Sequence, residues 1–360
     1  MQSLSINMFS KAESKAGQGV GSAYRELVNT LVKHYPKDLK LTYNALKTSD
    51  ISHYHTINFP FFLSTFLKRR RGVRLGYVHF LPETLRGSIH LPGWIQTLFD
   101  KYLIAFYRRM DHLVVVNPVF IDKLVQDYHF DPKKLSYIPN FVSTDTFYPE
   151  SQEEKASFRQ ALGLSPSDFV VLGVGQIQGR KGIDDFIQLG VDHPEICFYW
   201  VGGFTFGKLS DDHDRYQEAL KHLPANVHFT GVVDRADMVK YYNLADLFLL
   251  PSYSELFPMS ILEAFACQTP VMLRDLDLYQ DILGGYYIPC ADRAAMGKKI
   301  VQLAQDPQSL KSYQDKAQAA SHDYSEDRVA QIWLSRENKT IWPKTFFKIG
   351  ASFSKKLKPW

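Results

Sequence analysis

The sequence has few cysteines and lacks any long apolar run. Its 360 residues include three cysteines, Cys197, Cys267 and Cys290, which are odd in number and far apart. Neither a disulfide framework nor a zinc site is therefore predicted. No stretch reaches the roughly 18 apolar residues that a bilayer-spanning helix needs, and MQSLSINMFSK at the N-terminus has no charged-then-apolar leader. We expect a protein of a reducing compartment that is cytosolic or peripheral to a membrane.

Acidic residues are missing from the end of the chain, and charge is unevenly divided along it. Residues 338–360 hold six lysines and no acid. Residues 1–149 carry 19 lysines and arginines against 11 aspartates and glutamates, whereas residues 150–337 carry 17 against 27. This asymmetry predicts that the first part and the tail face a polyanion. No nucleic-acid recognition motif is visible, so we expect an anionic membrane and no nucleic acid.

The composition, with 45% hydrophobic residues, is that of a globular protein with room for two cores. Strand-like apolar runs alternate with helical patterns along the chain. The predicted strands lie at 4–9, 51–58, 75–84, 112–117, 168–174, 196–203, 226–233, 246–252 and 270–275. This alternation predicts an α/β protein with doubly wound sheets, one domain over residues 1–150 and a second over 151–324.

The stretch LLPSYSELFPMSILEAFAC, residues 249–267, combines a strand end, a turn and a helix start near Pro258. Glu263 is a lone carboxylate on an otherwise apolar helix, where an unpaired buried charge is costly. Glu255 lies in the turn, and the free N–H groups of the helix start form an anion site between the two. A sugar joined through a diphosphate to a ribose would use all three features. The alternative is a capping Glu255 and a Glu263 bridged to a core Arg or Lys.

Two glycine-containing turns follow predicted strands. GQGVG at 17–21 is not the dinucleotide fingerprint, because its third glycine comes one residue too early. GQIQGRKG at 175–182 places Arg180 and Lys181 at the carboxyl end of a strand, where they would meet phosphates. The alternative for this second turn is simple solvent exposure.

Three histidines lie at the ends of neighbouring strands. His53 and His55 alternate along ISHYHTIN and so share one face, and His79 ends the next strand. No carboxylate or thiol stands beside them at ligand spacing, so hydrogen-bonded polar groups are favoured over a zinc site.

Two segments combine aromatic with basic residues. FPFFLSTFLKRRRGVR, residues 59–74, is either a core helix with a solvated basic end or a membrane-dipping helix whose basic end meets headgroups. In the tail, apolar residues recur at helical spacing with lysines mostly off the stripe, which fits packing on the first domain or on a membrane. The residues assigned to membrane contact are Lys68, Arg69, Arg70, Arg71, Trp342, Phe346, Lys355, Lys356 and Trp360.

Together these motifs resemble family 4 of the retaining glycosyltransferases, whose signature is two glutamates separated by seven residues. ADLFLLPS and EAFACQTPV on either side of the pair also match. More closely, GQGVGSAY, YVHFLPET and GQIQGRKG resemble the Gram-positive enzymes that add a second hexose to glucosyl-diacylglycerol, building the glycolipid anchor of lipoteichoic acid. The chain departs from the family where Leu256, Pro258 and Gln268 replace small residues, often glycine, and where Phe141 replaces a glycine.

The resemblance implies a GT-B fold, with two Rossmann-like doubly wound domains facing across a cleft and the helices of residues 325–360 crossing back to the first domain. It implies a membrane-associated retaining enzyme at the cytoplasmic face, moving galactose or glucose from a UDP-sugar to glucosyl-diacylglycerol. No cofactor or metal is expected, because basic residues and a helix terminus supply the charge that a metal at Asp275 and Asp277 would bring. The alternatives are a family 4 enzyme of cell-wall or capsular polysaccharide synthesis, a pyridoxal-phosphate phosphorylase, and a non-catalytic lipid-binding scaffold.

The resemblance also assigns roles. Glu255 would hold the donor sugar, Glu263 the ribose, and His79 would reach the transferred sugar. The catalytic set is His79, Glu255, Arg180 and Lys181. The donor-binding set is Gly19, Gly175, Gln176, Phe257, Pro258, Met259, Ser260 and Glu263, in which Gln176 replaces the family arginine. The acceptor-binding set is Gly17, Gln18, His53, His55 and Glu83.

Overall fold

The computed structural model describes residues 3–12, 19–85, 92–204 and 213–334. Within these ranges the backbone forms two sheets of six strands, and neighbouring strands in both sheets are parallel. The first sheet contains β1 (Leu4–Phe9), β2 (Leu39–Tyr43), β3 (Ile51–Tyr54), β4 (Val73–Val78), β5 (His112–Val115) and β6 (Leu135–Tyr137). The second contains β7 (Val170–Val174), β8 (Cys197–Val201), β9 (Val227–Gly231), β10 (Leu247–Leu250), β11 (Val271–Arg274) and β12 (Ile288–Cys290).

Helices connect the strands. Those of the first part are α1 (Gly19–His34), α2 (Phe59–Ser64), α3 (Lys68–Arg71), α4 (Pro82–Leu85), α5 (Gly93–Arg108) and α6 (Val119–Gln126). The rest are α7 (Gln152–Ala161), α8 (Ile183–Asp192), α9 (His213–Ala219), α10 (Arg235–Leu244), α11 (Met259–Ala266), α12 (Asp277–Leu283), α13 (Arg293–Gln305), α14 (Pro307–Asp323) and α15 (Glu326–Leu334). None of the helices in the described ranges is long and apolar enough to cross a bilayer.

The strand order of each sheet shows where ligands are expected. The second sheet runs β12-β11-β10-β7-β8-β9, which is the order of nucleotide-binding doubly wound sheets, and its direction of winding reverses between β7 and β10. The first sheet runs β2-β1-β3-β4-β5-β6 and reverses between β1 and β3. Ligands of such sheets bind beyond the carboxyl ends of the strands at these switch points. The predicted α/β class with two doubly wound sheets is confirmed.

One apolar core passes through both sheets. It runs from the first sheet through Phe141 and Phe147 into the second. Trp333 of α15 belongs to it and stacks on Tyr77 of β4, with ring centroids 6.1 Å apart. We call residues 3–150 the N-terminal half and residues 151–324 the C-terminal half. Those boundaries remain predictions, although α15 clearly packs against the first sheet.

Local structure differs from the expectations in a few places. The expected strand at 4–9 and the helix ending at His34 are confirmed. Strands β2, β6 and β12 were not predicted, and each is a short strand at the edge of its sheet. Helix α11 begins one residue later than expected, since Pro258 is extended (ψ 128°) and occupies the N-cap.

The basic segment 59–74 forms two short helices, α2 and α3, followed by a strand. Lys68, Arg69 and Arg70 are exposed, as a membrane-facing role requires. Arg71 is fully buried: its Nη1 donates to the Ala45 carbonyl at 3.0 Å, and its guanidinium lies over the Phe9 ring. The assignment of Arg71 to the membrane is therefore wrong, because a side chain enclosed in the core cannot reach lipid.

Candidate active site

Two loops meet at the switch point of the second sheet. After β7 the chain enters a 3₁₀ turn over Gly179–Lys181, and after β10 it runs through residues 251–258 into α11. Gly182 ends the turn with a φ of +74°, and a Cβ there would lie 2.4 Å from the Pro251 carbonyl oxygen. Because a side chain fits neither that angle nor that space, glycine lets the two loops touch.

This contact brings Lys181 against Glu255. The Lys181 ammonium donates to Glu255 Oε1, and both side chains are nearly enclosed. Arg180 lies on the other side, with Nη1 3.9 Å from Glu255 Oε2 and donating to the Ser254 carbonyl at 3.3 Å. Burial lowers the pKa of Lys181, and the Glu255 charge opposes that shift. The turn is thus not simply exposed, and two cations beside one carboxylate leave positive charge for an anion.

Glu263 is held by two donors. The Tyr242 hydroxyl donates to Oε2 at 2.7 Å, and Arg235 Nη1 donates to Oε1 at 2.9 Å. Burial, together with the Glu263 charge, raises the pKa of Tyr242 well above its usual value, so this hydroxyl keeps its proton. The alternative of a Glu263 bridged to an arginine is therefore what the structure contains. Two accepted bonds still leave lone pairs on the carboxylate for further hydroxyl donors.

Arg235 also reaches the N-terminal half. Its Nη2 donates to Glu26 of α1, and its Nη1 lies 3.3 Å from the Ser22 hydroxyl. Glu26 is buried and also accepts from the Ser143 backbone N–H at 3.0 Å. Burial raises the pKa of Glu26 and the Arg235 charge opposes the shift. One arginine therefore joins the carboxylate expected to hold ribose to the opposite half of the protein.

Sequence reasoning missed Arg235 and Glu26. Glu26 shows the same signal that singled out Glu263, namely a carboxylate among apolar helix positions such as Tyr24 and Leu27. Arg235 carries no such signal, since an arginine at the start of a polar helix is ordinary.

The three histidines form a buried cluster at the carboxyl ends of β3 and β4. His79 Nε2 and His55 Nε2 lie 2.9 Å apart and share a hydrogen bond. The His55 ring also packs against Tyr24 of α1, with centroids 5.1 Å apart. His53 instead lines an apolar cavity beside Trp333, and its Nε2 has no hydrogen-bond partner among the residues that the structure describes. Helix α1 thus borders both the histidines and the Arg235 network.

Burial keeps these histidines uncharged. It lowers the pKa of His79 to about 3, and burial together with the His79 charge lowers that of His53 to about 3. At neutral pH the cluster can therefore offer hydrogen bonds to a sugar but no positive charge.

The remaining predicted residues lie in varied surroundings. Glu83 of α4 accepts from the Tyr128 hydroxyl at 3.0 Å and lies 3.4 Å from Lys123 Nζ, so it is half-buried and held in place. Gly19 opens α1 and is exposed, Phe257 and Met259 are buried, and Gly175, Gln176, Pro258 and Ser260 are half-buried. Gly17, Gln18, Trp342, Phe346, Lys355, Lys356 and Trp360 lie outside the described residues.

Asp275 and Asp277, the two aspartates considered above as a metal site, have other positions in the fold. Asp275 accepts hydrogen bonds from Gln280 and from the Tyr287 hydroxyl, each at 3.0 Å. Asp277 is the first residue of α12. In the part of the chain that the structure describes, no three His, Cys, Asp or Glu side chains are grouped so as to hold a metal ion.

Two family models match the chain. Residues 12–146 match Glycosyltransferase Family 4, and residues 154–320 match Glycosyl transferases group 1. The alpha-galactosylglucosyldiacylglycerol synthase of Streptococcus pneumoniae is 49% identical over 331 residues, which cover 92% of this chain and 88% of that protein. The processive diacylglycerol alpha-glucosyltransferase of Acholeplasma laidlawii is 29% identical over 78% of this chain and 81% of its own.

Solved structures agree on the fold. HepE of Anabaena, solved with UDP-glucose, superposes with a TM-score of 0.72 at 16% identity, covering 91% of this chain and 98% of its own. The sucrose-phosphate synthase of Thermosynechococcus elongatus gives a TM-score of 0.73 at 17% identity, covering 91% and 97%. The predicted GT-B fold is confirmed.

The buried histidines predict that stability depends on pH. In the unfolded chain a histidine takes up a proton near pH 6.5, whereas folded His53 and His79 do so only near pH 3. Between these values the unfolded state binds more protons, so stability falls as the pH falls, by about 2 kcal/mol per histidine at about pH 5.

A His53→Phe variant should lose one such contribution. We expect its free energy of unfolding, measured in urea, to fall less than that of the wild type when the pH is lowered from about 7 to about 5. The difference between the two falls should be about 2 kcal/mol. His222→Gln, a change at an exposed histidine, is the control and should behave like the wild type. An unchanged pH dependence in His53→Phe would contradict the prediction.

Proposed function

This chain belongs to glycosyltransferase family 4, and on that premise we propose that it transfers galactose from UDP-galactose to glucosyl-diacylglycerol. The product would be a diglycosyl-diacylglycerol of the kind that anchors lipoteichoic acid. The observation that carries the proposal is the 49% identity, across 92% of the chain, to a protein named for that product. UDP-glucose is the competing donor, because the resemblance leaves the hexose open.

The donor fits the two loops at the second switch point. In the proposed complex the diphosphate lies against Arg180, Lys181 and the first N–H groups of α11, which supply positive charge without a metal. Glu263 accepts hydrogen bonds from the ribose hydroxyls, and Glu255 from hydroxyls of the hexose. The support for this arrangement is the contact of Glu255 with both cations and the burial of Glu263 one helical turn beyond the anion site.

The reaction is proposed to proceed with retention by attack on the front face of the hexose. The bond from the anomeric carbon to the departing phosphate oxygen breaks, and a bond to the acceptor hydroxyl oxygen forms. The departing phosphate oxygen takes the acceptor proton, so no protein base is required. Arg180 and Lys181 stabilise the charge that develops on the diphosphate. Neutral His79, hydrogen-bonded to His55, orients a hydroxyl of the transferred sugar.

The N-terminal half offers a face suited to a membrane. Helices α2 and α5 lie side by side through contacts of Phe59 and Phe62 with Tyr102, whose ring centroids are 6.3 and 5.4 Å away. Trp94 and Leu98, one turn apart on α5, are 73% and 63% exposed. Phe59, Leu63, Phe66 and Leu67 are also exposed, and Lys68, Arg69 and Arg70 follow them.

We define the membrane face as these exposed apolar residues of α2, its following turn and α5, with the basic residues of α3. Contiguous exposed apolar groups beside basic ones are typical of surfaces that dip into an anionic leaflet. Such a face would hold the enzyme at the cytoplasmic side of the membrane, where its lipid acceptor lies. Trp94 and Leu98 were not predicted as membrane contacts, although their spacing after Pro92-Gly93 is a helical signal in the sequence.

The first experiment measures transfer. Purified protein should convert glucosyl-diacylglycerol in mixed vesicles to a diglycosyl lipid with UDP-galactose, at least tenfold faster than with UDP-glucose, and added chelator should not change the rate. Soluble oligosaccharide acceptors serve as the control and should give no product. Transfer only to the soluble acceptors, or a requirement for added manganese, would contradict the corresponding part of the proposal.

The two glutamates should separate turnover from nucleotide affinity. Glu255→Gln should lower kcat about a hundredfold, since one preorganised polar contact to the reacting sugar is lost, while UDP affinity stays within about threefold. Glu263→Gln should weaken UDP binding about tenfold or more, because charge-assisted bonds to ribose are lost. Calorimetric UDP titration and initial rates measure the two effects. Asp275→Asn is the matched control, and equal losses of UDP affinity in both glutamate variants would refute the assignment.

The membrane face is tested by changing its apolar and basic parts separately. Trp94→Gln with Leu98→Gln should reduce co-sedimentation with phosphatidylglycerol vesicles roughly tenfold or more, because buried apolar area is lost. Val191→Gln, at a similarly exposed position of α8, should have no effect. Arg69→Ala with Arg70→Ala should remove about 2 kcal/mol of attraction to anionic but not neutral vesicles. Unchanged sedimentation of both double variants would show that this face is not the membrane contact.

A further inference from the structure

Leu256 anchors the loop that carries Glu255 to the opposite half of the protein. Its half-buried side chain packs against a second apolar cluster, which is distinct from the core that passes through both sheets. The buried members of this cluster, among them Phe9, Val115 and Phe120, all come from the N-terminal half. Leu256 belongs to the C-terminal half, so its side chain packs against an apolar surface whose buried residues come from the opposite half.

Hydrogen bonds fix the same point of the loop. Buried Asn117, just beyond β5, donates from Nδ2 to the Leu256 carbonyl at 3.2 Å, and its Oδ1 accepts from the Val119 N–H at 3.0 Å. Buried Asn140, beyond β6, donates to the Phe257 carbonyl at 3.2 Å. Because Asn117 is oriented by its own bond to the start of α6, the direction of the amide that the loop contacts is fixed from the N-terminal half.

These contacts lie next to Glu255 in the chain. Neighbouring Cα atoms are about 3.8 Å apart, so a shift of Leu256 moves Glu255 by a comparable amount. The loop 252–258 has no regular hydrogen-bonded structure of its own to resist such a shift. On the other side, Glu255 is paired with Lys181 of the C-terminal half. Its carboxylate is thus positioned by both halves together.

We propose that Leu256 is a positioning residue, which ties the sugar-holding Glu255 to the acceptor half so that the hexose site is complete only when the two halves are docked. The inference rests on the proposed hexosyl transfer and goes beyond it. A misplacement of about 1 Å at a reacting centre costs roughly a hundredfold in rate, so a single apolar anchor here has consequences for turnover.

The test compares Leu256→Ala with Leu256→Met. In Leu256→Ala we expect kcat for hexosyl transfer to fall at least tenfold, while the dissociation constant of UDP, whose diphosphate and ribose contact other residues, changes by less than twofold. Leu256→Met, which still reaches the cluster, should restore kcat to within threefold of the wild type. Val125→Ala is the matched control, because Val125 of α6 packs against the same cluster. This variant should lower the urea midpoint of unfolding about as much as Leu256→Ala does, while its kcat stays at the wild-type value.

Wild-type kcat in Leu256→Ala would overturn the inference. A parallel loss of UDP affinity and stability in that variant, or an equal loss of kcat in Val125→Ala, would also overturn it, because either result would show ordinary packing. If the wild-type protein transfers no hexose to glucosyl-diacylglycerol, the proposed function fails instead. The inference would then be tested by the same variants in UDP-hexose hydrolysis, which needs Glu255 but no lipid.

Discussion

Arg235 is shared between two buried carboxylates, and much of the site's arrangement depends on it. Glu26 lies on the first helix of the N-terminal half and Glu263 on the helix that opens at the anion site. Removing one partner from a buried ion pair costs about 3–5 kcal/mol, because the remaining charge is left without compensation. The network therefore favours the docked arrangement of the halves and fixes the orientation of the Glu263 side chain near the start of α11. Burial alone would lower the pKa of Arg235, but the charges of Glu263 and Glu26 outweigh it and raise the pKa. Arg235 therefore stays charged and paired with both carboxylates at any physiological pH.

Helix α1 contacts both the Arg235 network and the histidine cluster. One of its faces contacts Arg235 through Ser22 and Glu26, and Tyr24 packs against His55. The histidines are uncharged and the loop beyond β7 is cationic, so the two sheets offer different chemistry to a bound molecule. Neutral hydrogen-bonding groups suit sugar hydroxyls, and cations suit a diphosphate. In the proposed complex, residues from both halves of the chain would therefore contribute to one site.

Charge and apolar exposure also separate along the chain. The basic N-terminal half carries the membrane face, whereas residues 150–337 have more acidic than basic residues and would be repelled by an anionic leaflet. In the proposed membrane-bound state, this charge separation would orient the N-terminal half toward lipid and the C-terminal half toward water. The burial of Arg71 among aromatic rings shows that a run of basic residues need not act as one surface, since helix geometry turns successive side chains in different directions.

The sequence by itself determined the two doubly wound sheets, the glycine-flanked turn before α8 and the carboxylate on an apolar helix, because these features depend on local periodicity and on backbone angles that neighbouring residues impose. It also placed Glu255 and Lys181 at strand ends of the second sheet, which a parallel sheet brings to one edge, and His79 at a strand end of the first sheet. Only the tertiary structure decided that Glu263 pairs with Arg235, that Arg235 reaches Glu26, that Arg71 is enclosed, and that Leu256 packs against the opposite half. Each of these is a contact between distant segments, and its energy comes from burial and charge pairing that exist only after the two sheets have packed together.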